Sequence, residues 1–365
     1  MAKAGKPLTV GIVGLGYGRA HLVGFRAAGC EIVALCQRNA ESARAVAAKY
    51  GVPAAYSSWE EMIERAKPDI VTIATPPALH LPILRAAVQA GAHVVCEKPL
   101  AMNRAEALEM IAIARMSGRA AITGFNWRYP AAMREFRRRV AAGDIGRVFH
   151  VNARWFNGRW ADEKVAATWR MDRNQAGHGA MGDQGVHLVD MMRWLFGEFA
   201  RVNASAGIAH AARKAPGGSD AEDHCSVLAE LASGARVAFS VSRVAHGLNE
   251  HSIEAYGSGG ALSLSVVRSG KDWHAGELYA AKPGASFERV PVRDDIPGIE
   301  ACTDTVEITG LATVAPMARE MLAAIARGEA PTPSIEDGMQ AQAVLDAVLE
   351  SVRTGEWQQT GRESA

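Results

Sequence analysis

The chain has 365 residues, 48% of them hydrophobic, which is enough for two domains with their own cores. Its 40 basic side chains against 39 acidic ones leave a net charge of +1, so composition offers neither a nucleic-acid nor a membrane partner. The five cysteines are scattered, odd in number and free of any Cys-x-x-Cys spacing, and they read as reduced core thiols. The first residues carry no apolar signal core and no apolar run reaches membrane-spanning length, so the expected location is cytoplasmic.

From Leu8 to Gly124 strand-like and helix-like patterns alternate. Leu8–Val13, Glu31–Cys36, Ile70–Ala74, His93–Cys96 and Ala120–Thr123 are nearly continuous apolar runs. Helical patterns separate them: Tyr17–Ala28, a helix capped by Asn39 that runs to Tyr50, one opened by Ser58 with Glu61, Leu79–Ala90, and one opened by Asn103 with Glu106. Strands of this kind, each followed by one helix, form a parallel sheet covered on both faces. The expectation is a doubly wound, Rossmann-type α/β domain over residues 1–127.

The pattern changes beyond residue 130. Ala131–Ala142 reads as a connecting helix and Arg147–Phe156 as a strand. His187–Phe196 is helical. Ser226–Leu231, Arg236–Ser242, Ser252–Tyr256, Ala261–Val266 and Glu277–Ala280 alternate as strands with turns between them. No helical pattern separates these late strands, so a mostly antiparallel sheet with one open face is expected over residues 128–365. Met317–Arg327 and Gly338–Arg353 read as closing helices. Arg213–Ser219 and Lys282–Gly298 read as surface loops.

Four stretches carry chemistry. The first strand runs into Gly14-Leu15-Gly16-Tyr17-Gly18-Arg19 and then a helix, the arrangement that brings backbone amides to a pyrophosphate. Arg19 stands where the third glycine of Gly-x-Gly-x-x-Gly belongs, and Gly18 comes one place early. Such a turn alone is unspecific, since glycine turns after strands are common. Thr75-Pro76-Pro77 follows the third strand and Glu97-Lys98-Pro99 the fourth, both at the strand ends where ligands of open α/β sheets bind. The prolines also fit a plain strand-to-helix stop, and a lysine there also fits a solvated exit. Finally, Asp183 and His187 are four residues apart, a spacing that puts them on one face of a helix. A carboxylate there orients a histidine as a general base, or simply starts a helix. His178, Asp183 and His187 give a metal alternative that matches no familiar ligand spacing, so no metal is expected.

Together these motifs resemble the Gfo/Idh/MocA family, named for glucose–fructose oxidoreductase and inositol dehydrogenase. Gly124-Phe125-Asn126 with Arg128, Asp183-Gln184-Gly185-Val186-His187 and the late Ile335-Glu336-Asp337-Gly338 carry the likeness over nearly the whole chain. The resemblance implies an NAD or NADP cofactor and a sugar, polyol or related cyclic alcohol as substrate. It further implies a homodimer or homotetramer built through the C-terminal sheet. It assigns Lys98, Asp183 and His187 to catalysis. It also places Gly14, Leu15, Gly16, Tyr17, Gly18, Arg19, Gln37, Arg38, Thr75, Pro76, Pro77, His80, Glu97, Lys98 and Asn126 around the cofactor.

Oxidation of a secondary alcohol removes a hydride and a proton from one carbon–oxygen unit, so the protein must supply a base and hold the developing alkoxide. His187 is the candidate base and Lys98 the partner of the reacting oxygen, with Asp183 orienting either. Arg128, Trp169, Arg170, Lys98, Asp183 and His187 are the expected substrate contacts. Of these, Trp169 and Arg170 belong to a wider set, Arg154, Trp155, Arg159, Trp160, Trp169 and Arg170, suited to a sugar ring or a carboxylated substrate. The second strand ends in Gln37-Arg38 where NAD enzymes place an acidic residue, which leans the cofactor towards NADP. Two other activities share the motifs: glycoside hydrolysis through transient oxidation by a retained NAD, and non-catalytic dinucleotide binding.

Overall fold

The computed structural model describes residues 6–213, 220–269 and 272–361. Lys214–Ser219, most of the expected loop at 213–219, lies outside them. The chain divides into two units, one of residues 1–101, 105–129 and 296–339, the other of residues 102–104, 130–295 and 340–365.

The first unit holds a six-stranded sheet of β1 (Thr9–Val13), β2 (Glu31–Cys36), β3 (Ala54–Tyr56), β4 (Ile70–Ile73), β5 (His93–Cys96) and β6 (Ala121–Thr123). Every pairing is parallel and the order is β3-β2-β1-β4-β5-β6, the doubly wound order whose switch point lies between β1 and β4. The short β3 adds an edge that its three half-buried residues did not announce. Helices α1 (Gly18–Ala27), α2 (Ala40–Tyr50), α3 (Trp59–Ala66), α4 (His80–Gln89) and α5 (Arg104–Ser117) connect the strands. The Asn39 side chain accepts from Ser42 N at 2.9 Å to start α2, and Gly51 ends it with φ 62°.

The division differs from a single cut at residue 127. Ile296–Met339 leaves the second unit and returns to the first. It carries α9 (Thr305–Thr309), a π-helical turn at Gly310–Val314 and α10 (Ala315–Arg327). The continuous 23-residue helix Thr305–Arg327 is long and apolar enough to cross a membrane, contrary to the expectation from sequence. Its apolar face is instead used inside the unit. Val314, Met317, Ala318 and Met321 join the core that Val10, Ile12, Leu22 and Phe25 form. A Cβ on Gly24 of α1 would stand 2.9 Å from the Gly310 carbonyl, so two glycines permit the close crossing.

The second unit is built on nine strands: β7 (Val148–Asn157), β8 (Phe199–Gly207), β9 (His224–Leu231), β10 (Arg236–Ser242), β11 (Asn249–Gly257), β12 (Gly260–Val267), β13 (Glu277–Ala281), β14 (Glu288–Val290) and β15 (Gln358–Gln359). Their order is β14-β13-β12-β11-β7-β10-β9-β8-β15, antiparallel except for the central β7/β10 pair. β14 falls within the stretch expected to be a loop. Burial alternates along β7, β9 and β10, so one face is covered and the other open. Helices α6 (Ala131–Ala141), α7 (Arg173–Ala176) and α8 (Val186–Phe196) belong to this unit, and α11 (Ile335–Thr354) runs from the first unit into it. Cys30, Cys36, Cys96 and Cys225 are buried free thiols, and burial pushes Cys36 up to about 12.

Candidate active site

In the first unit the glycine turn sits at the switch point. Gly14 N donates to the Cys36 carbonyl at 2.9 Å, and Ala74 N to the Val13 carbonyl at 2.7 Å. Gly14 has φ 90°, and a Cβ there would overlap the Ala74 carbonyl. Only glycine closes this turn. A Cβ on Gly16 meets nothing within 4 Å, so its backbone faces open space. A Cβ on Gly18 would lie 2.9 Å from Ile12 Cγ2. Gly18 therefore performs the helix-to-strand packing of a third glycine, one position early. Leu15 is buried beneath the turn. Arg19 reaches Asp304 Oδ2 at 3.2 Å, and Asp304 also caps α9 by accepting from Val306 N and Glu307 N. The displaced arginine thus ties α1 to α9.

The next strand ends supply further groups. Gln37 donates to Ser42 Oγ at 2.9 Å, while Arg38 is exposed. Pro77 opens a short 3-10 turn after Thr75-Pro76. His80 is fully buried, with Nε2 3.0 Å from the Thr75 carbonyl and Nδ1 3.0 Å from the Leu100 carbonyl. Burial holds its imidazole below the usual range, and the neutral ring, which has one N–H, donates to one of these two carbonyls. Glu97 is also buried. Its Oε1 lies 2.9 Å from His21 Nε2, and its Oε2 accepts from the Lys98 amide at 3.2 Å. Gly124 leaves room for that carboxylate, which a Cβ would overlap. Lys98 is half-buried and the Lys98–Pro99 bond is cis.

Asn126 donates to Tyr17 Oη at 2.8 Å and to Thr313 Oγ1 at 2.5 Å. Its buried Oδ1 and the buried Thr75 Oγ1 have no hydrogen-bond partner among the described residues. Open space at Gly16, a turn only glycine can make and two orphaned polar atoms at the strand ends all fit a dinucleotide. Arg128 takes a different place from a freely presented substrate contact. It is 5% exposed, 3.3 Å from Asp337 Oδ2 and 3.5 Å from Thr332 Oγ1, and so links the Asn126 turn to the start of α11.

In the second unit Asp183 lies in a π-helical turn, Met181–Gly185, that runs directly into α8. The α-helical four-residue spacing expected for Asp183 and His187 is thus modified by a wider turn, a feature common at functional sites. Asp183 Oδ1 is 3.5 Å from Arg170 Nε, and the Arg170 guanidinium lies 4.3 Å from the centre of the half-buried Trp169 ring. The His187 ring stacks on Trp155 with centroids 5.3 Å apart and 21° between planes. Trp155 is directly opposite His251 on β11, and those rings stack at 4.3 Å. The Arg268 guanidinium lies 4.6 Å from the same indole. Burial, and then the Arg268 charge, holds His251 well below the ordinary imidazole range, so it is a neutral aromatic support.

The tryptophan and arginine set therefore divides. Trp169 and Arg170 stand beside Asp183, and Trp155 backs His187. Trp160 is core, with the Arg159 and Arg243 guanidinium groups 5.8 and 4.6 Å from its ring centre. Arg154 pairs with Glu250 across β7 and β11. No three His, Cys, Asp or Glu side chains among the described residues converge to hold a metal. His178 is enclosed, 3.6 Å from Asp346. Sequence reasoning passed over His21, Glu222, Arg243 and His251. Each is a buried polar residue whose partner is far along the chain, and no spacing marks it.

Two family models divide the chain between them. The oxidoreductase family, NAD-binding Rossmann fold model matches residues 8–125, and the GFO/IDH/MocA C-terminal domain model matches residues 133–263. The chain belongs to the Gfo/Idh/MocA family. It is similar to levoglucosan dehydrogenase of Pseudarthrobacter phenanthrenivorans, at 28% identity over 96% of this chain and 95% of that one. The solved structure of a levoglucosan dehydrogenase with NADH and levoglucosan matches with a TM-score of 0.86 and 28% identity, covering 98% of this chain and 100% of that one. An oxidoreductase domain protein from Kribbella flavida matches at 0.85 and 31% identity, covering 98% and 100%. The chain is an oxidoreductase of the dehydrogenase and reductase type with an NAD-binding Rossmann domain. The glycoside hydrolase alternative has no support among these relatives.

The indole under His187 carries an expected consequence. Trp155→Ala removes the surface that fixes the imidazole plane and should lower kcat by about 10-fold or more, whereas Trp155→Phe, which keeps a ring there, should stay within about 3-fold. Steady-state kinetics, with thermal melts to confirm folding, read both.

Proposed function

We propose that this enzyme transfers a hydride between NAD(P) and a secondary alcohol of a neutral sugar, polyol or related cyclic alcohol. The observation that carries the reading is the second unit's turn, where His187 lies flat on Trp155 and Asp183 meets Arg170 over the Trp169 ring. An aromatic face beside a carboxylate suits a sugar ring and its hydroxyls. Arg170 faces Asp183, so its charge is already partly balanced and a neutral substrate is favoured over a sugar acid.

When bound, the nicotinamide cofactor supplies the hydride acceptor or donor. Every proton step belongs to the chain. His187 accepts the hydroxyl proton, on a ring whose plane the Trp155 stack fixes. Lys98 donates a hydrogen bond to the reacting oxygen and balances its developing charge, with its backbone held by Glu97. Asp183 orients a hydroxyl. A dehydrogenase screen over sugars, polyols and sugar acids with both cofactors, read at the reduced-nicotinamide absorbance, tests this. Activity confined to sugar acids, or none on any alcohol, overturns it.

We also infer that NADP is accepted, because Arg38 is an exposed cation at the end of β2 and no acidic residue stands there to repel a 2′-phosphate. Arg38→Ala should lower kcat/KM for NADP by about 10-fold or more while NAD stays within about 2-fold. Equal losses for both cofactors would overturn the inference. We further infer a cytoplasmic homodimer or homotetramer; the open sheet face exposes Leu228, which supports assembly through that face.

A further inference from the structure

The approach to Asp183 is held by a residue 39 positions later in the chain, Glu222. Three successive amides end on it. Gly179 N and Met181 N donate to Glu222 Oε1 at 2.7 and 3.1 Å, and Ala180 N donates to the Glu222 carbonyl at 2.7 Å. Asp183 N is the first amide of this segment to find a helical acceptor, the Gly179 carbonyl at 3.0 Å. The amides before it are those a helix start leaves unsatisfied, and the same end of the helix attracts negative charge. Glu222 thus caps the segment that carries Asp183 and His187, from the connection that precedes β9. The approach is tight, since a Cβ on Gly179 would overlap the Glu222 backbone.

Glu222 is itself fixed. It is 3% exposed, and its Oε2 lies 3.3 Å from Arg173 Nη2. Its carbonyl also accepts from Arg243 Nη2 at 3.0 Å. Arg243 is fully enclosed and donates its other arm, Nη1, to the Arg170 carbonyl at 3.0 Å. Arg170 in turn faces Asp183. One buried node, Glu222 with Arg243, therefore grips the helix start at its amides and the Arg170 segment at its backbone.

We propose that Glu222 and Arg243 are positioning residues for the hydride-transfer reaction, setting where Asp183 and His187 stand relative to the substrate hydroxyl. This rests on the function proposed above. The node touches no reacting group, and a displacement of Asp183 and His187 by about 1 Å is enough to slow a positioned reaction about 100-fold.

The test uses the full-length enzyme, pre-steady-state reduction of bound NAD by protonated and deuterated alcohol, and amide hydrogen exchange over residues 178–188. Glu222→Gln keeps an acceptor and removes the charge, whereas Glu222→Ala removes both. Hydride transfer should fall about 10-fold in Glu222→Gln and about 100-fold in Glu222→Ala, with a full deuterium isotope effect and the NAD dissociation constant unchanged. Arg243→Lys should restore much of what Arg243→Met loses. Exchange at 178–188 should quicken in Glu222→Gln and stay unchanged elsewhere. Transfer within about 2-fold of wild type in folded Glu222→Gln, or loss of rate in step with loss of NAD binding and melting temperature, overturns the proposal. If Glu222→Ala does not fold, Glu222→Gln carries the test. A wild type inactive on every alcohol sinks the proposed function, while the exchange measurement still reads the cap. Unchanged exchange in an active enzyme sinks the cap alone.

Discussion

Replacing His187 with alanine is expected to slow hydride transfer by about 100-fold to 10,000-fold, the range a positioned general base supplies. The ring sits on Trp155, whose other neighbours are a neutral, buried His251 and the Arg268 guanidinium. Thermal melts and NAD titration of the variant separate a lost base from a lost fold or a lost cofactor. Lys98→Met should cause a loss of similar size, because the lysine stabilises charge that exists only as the alkoxide develops. Stopped-flow reduction of bound cofactor reads both. A transfer rate near wild type in either variant removes that residue from the mechanism.

The second large effect is expected at Gly14. Alanine there would adopt φ 90° with its Cβ overlapping the Ala74 carbonyl, backbone against backbone, and neither strand end can move without breaking the β1/β4 pairing. Gly14→Ala should destabilise the first unit by about 2–4 kcal/mol and abolish dinucleotide binding. Gly16→Ala is the informative contrast. Its Cβ meets nothing in the protein, so urea unfolding should be nearly unchanged. The added methyl would still stand between the turn and a pyrophosphate, and NADH titration should show weakened binding. If Gly16→Ala binds NADH as wild type does, the open space at that position is not where the phosphates lie.

Much of this architecture was legible before folding. The near-continuous apolar strands up to Thr123 announced a covered parallel sheet, and the alternation after Arg147 announced a sheet with one open face. Both patterns are local, because burial on two faces or one imposes its own period on the strand. The capping of α2 by Asn39 and the helix-packing work of Gly18 were equally local, each readable from a side chain and its nearest neighbours. The catalytic candidates stood out for the same reason. Lys98 ends a strand, and Asp183 and His187 share one helical segment.

What the sequence could not determine depends on distant partners. The return of Ile296–Met339 to the first unit is decided by the fit of Gly310 and Val314 against Gly24, a shape complementarity with no period. Arg19 and Arg128, whose types suit phosphate or substrate, are drawn instead to Asp304 and Asp337, since a nearby opposite charge in the folded chain is available before any ligand. His80 lies between two carbonyls, and Glu97 serves His21 and a backbone amide. The helix start that leads into Asp183 is likewise held from outside, by Glu222. Local periodicity and residue type therefore determined the two sheets, the glycine turn and the candidate catalytic groups. Only the tertiary structure decided which charged and polar side chains are left for cofactor and substrate, because a buried charge takes whichever partner the fold brings within hydrogen-bonding distance.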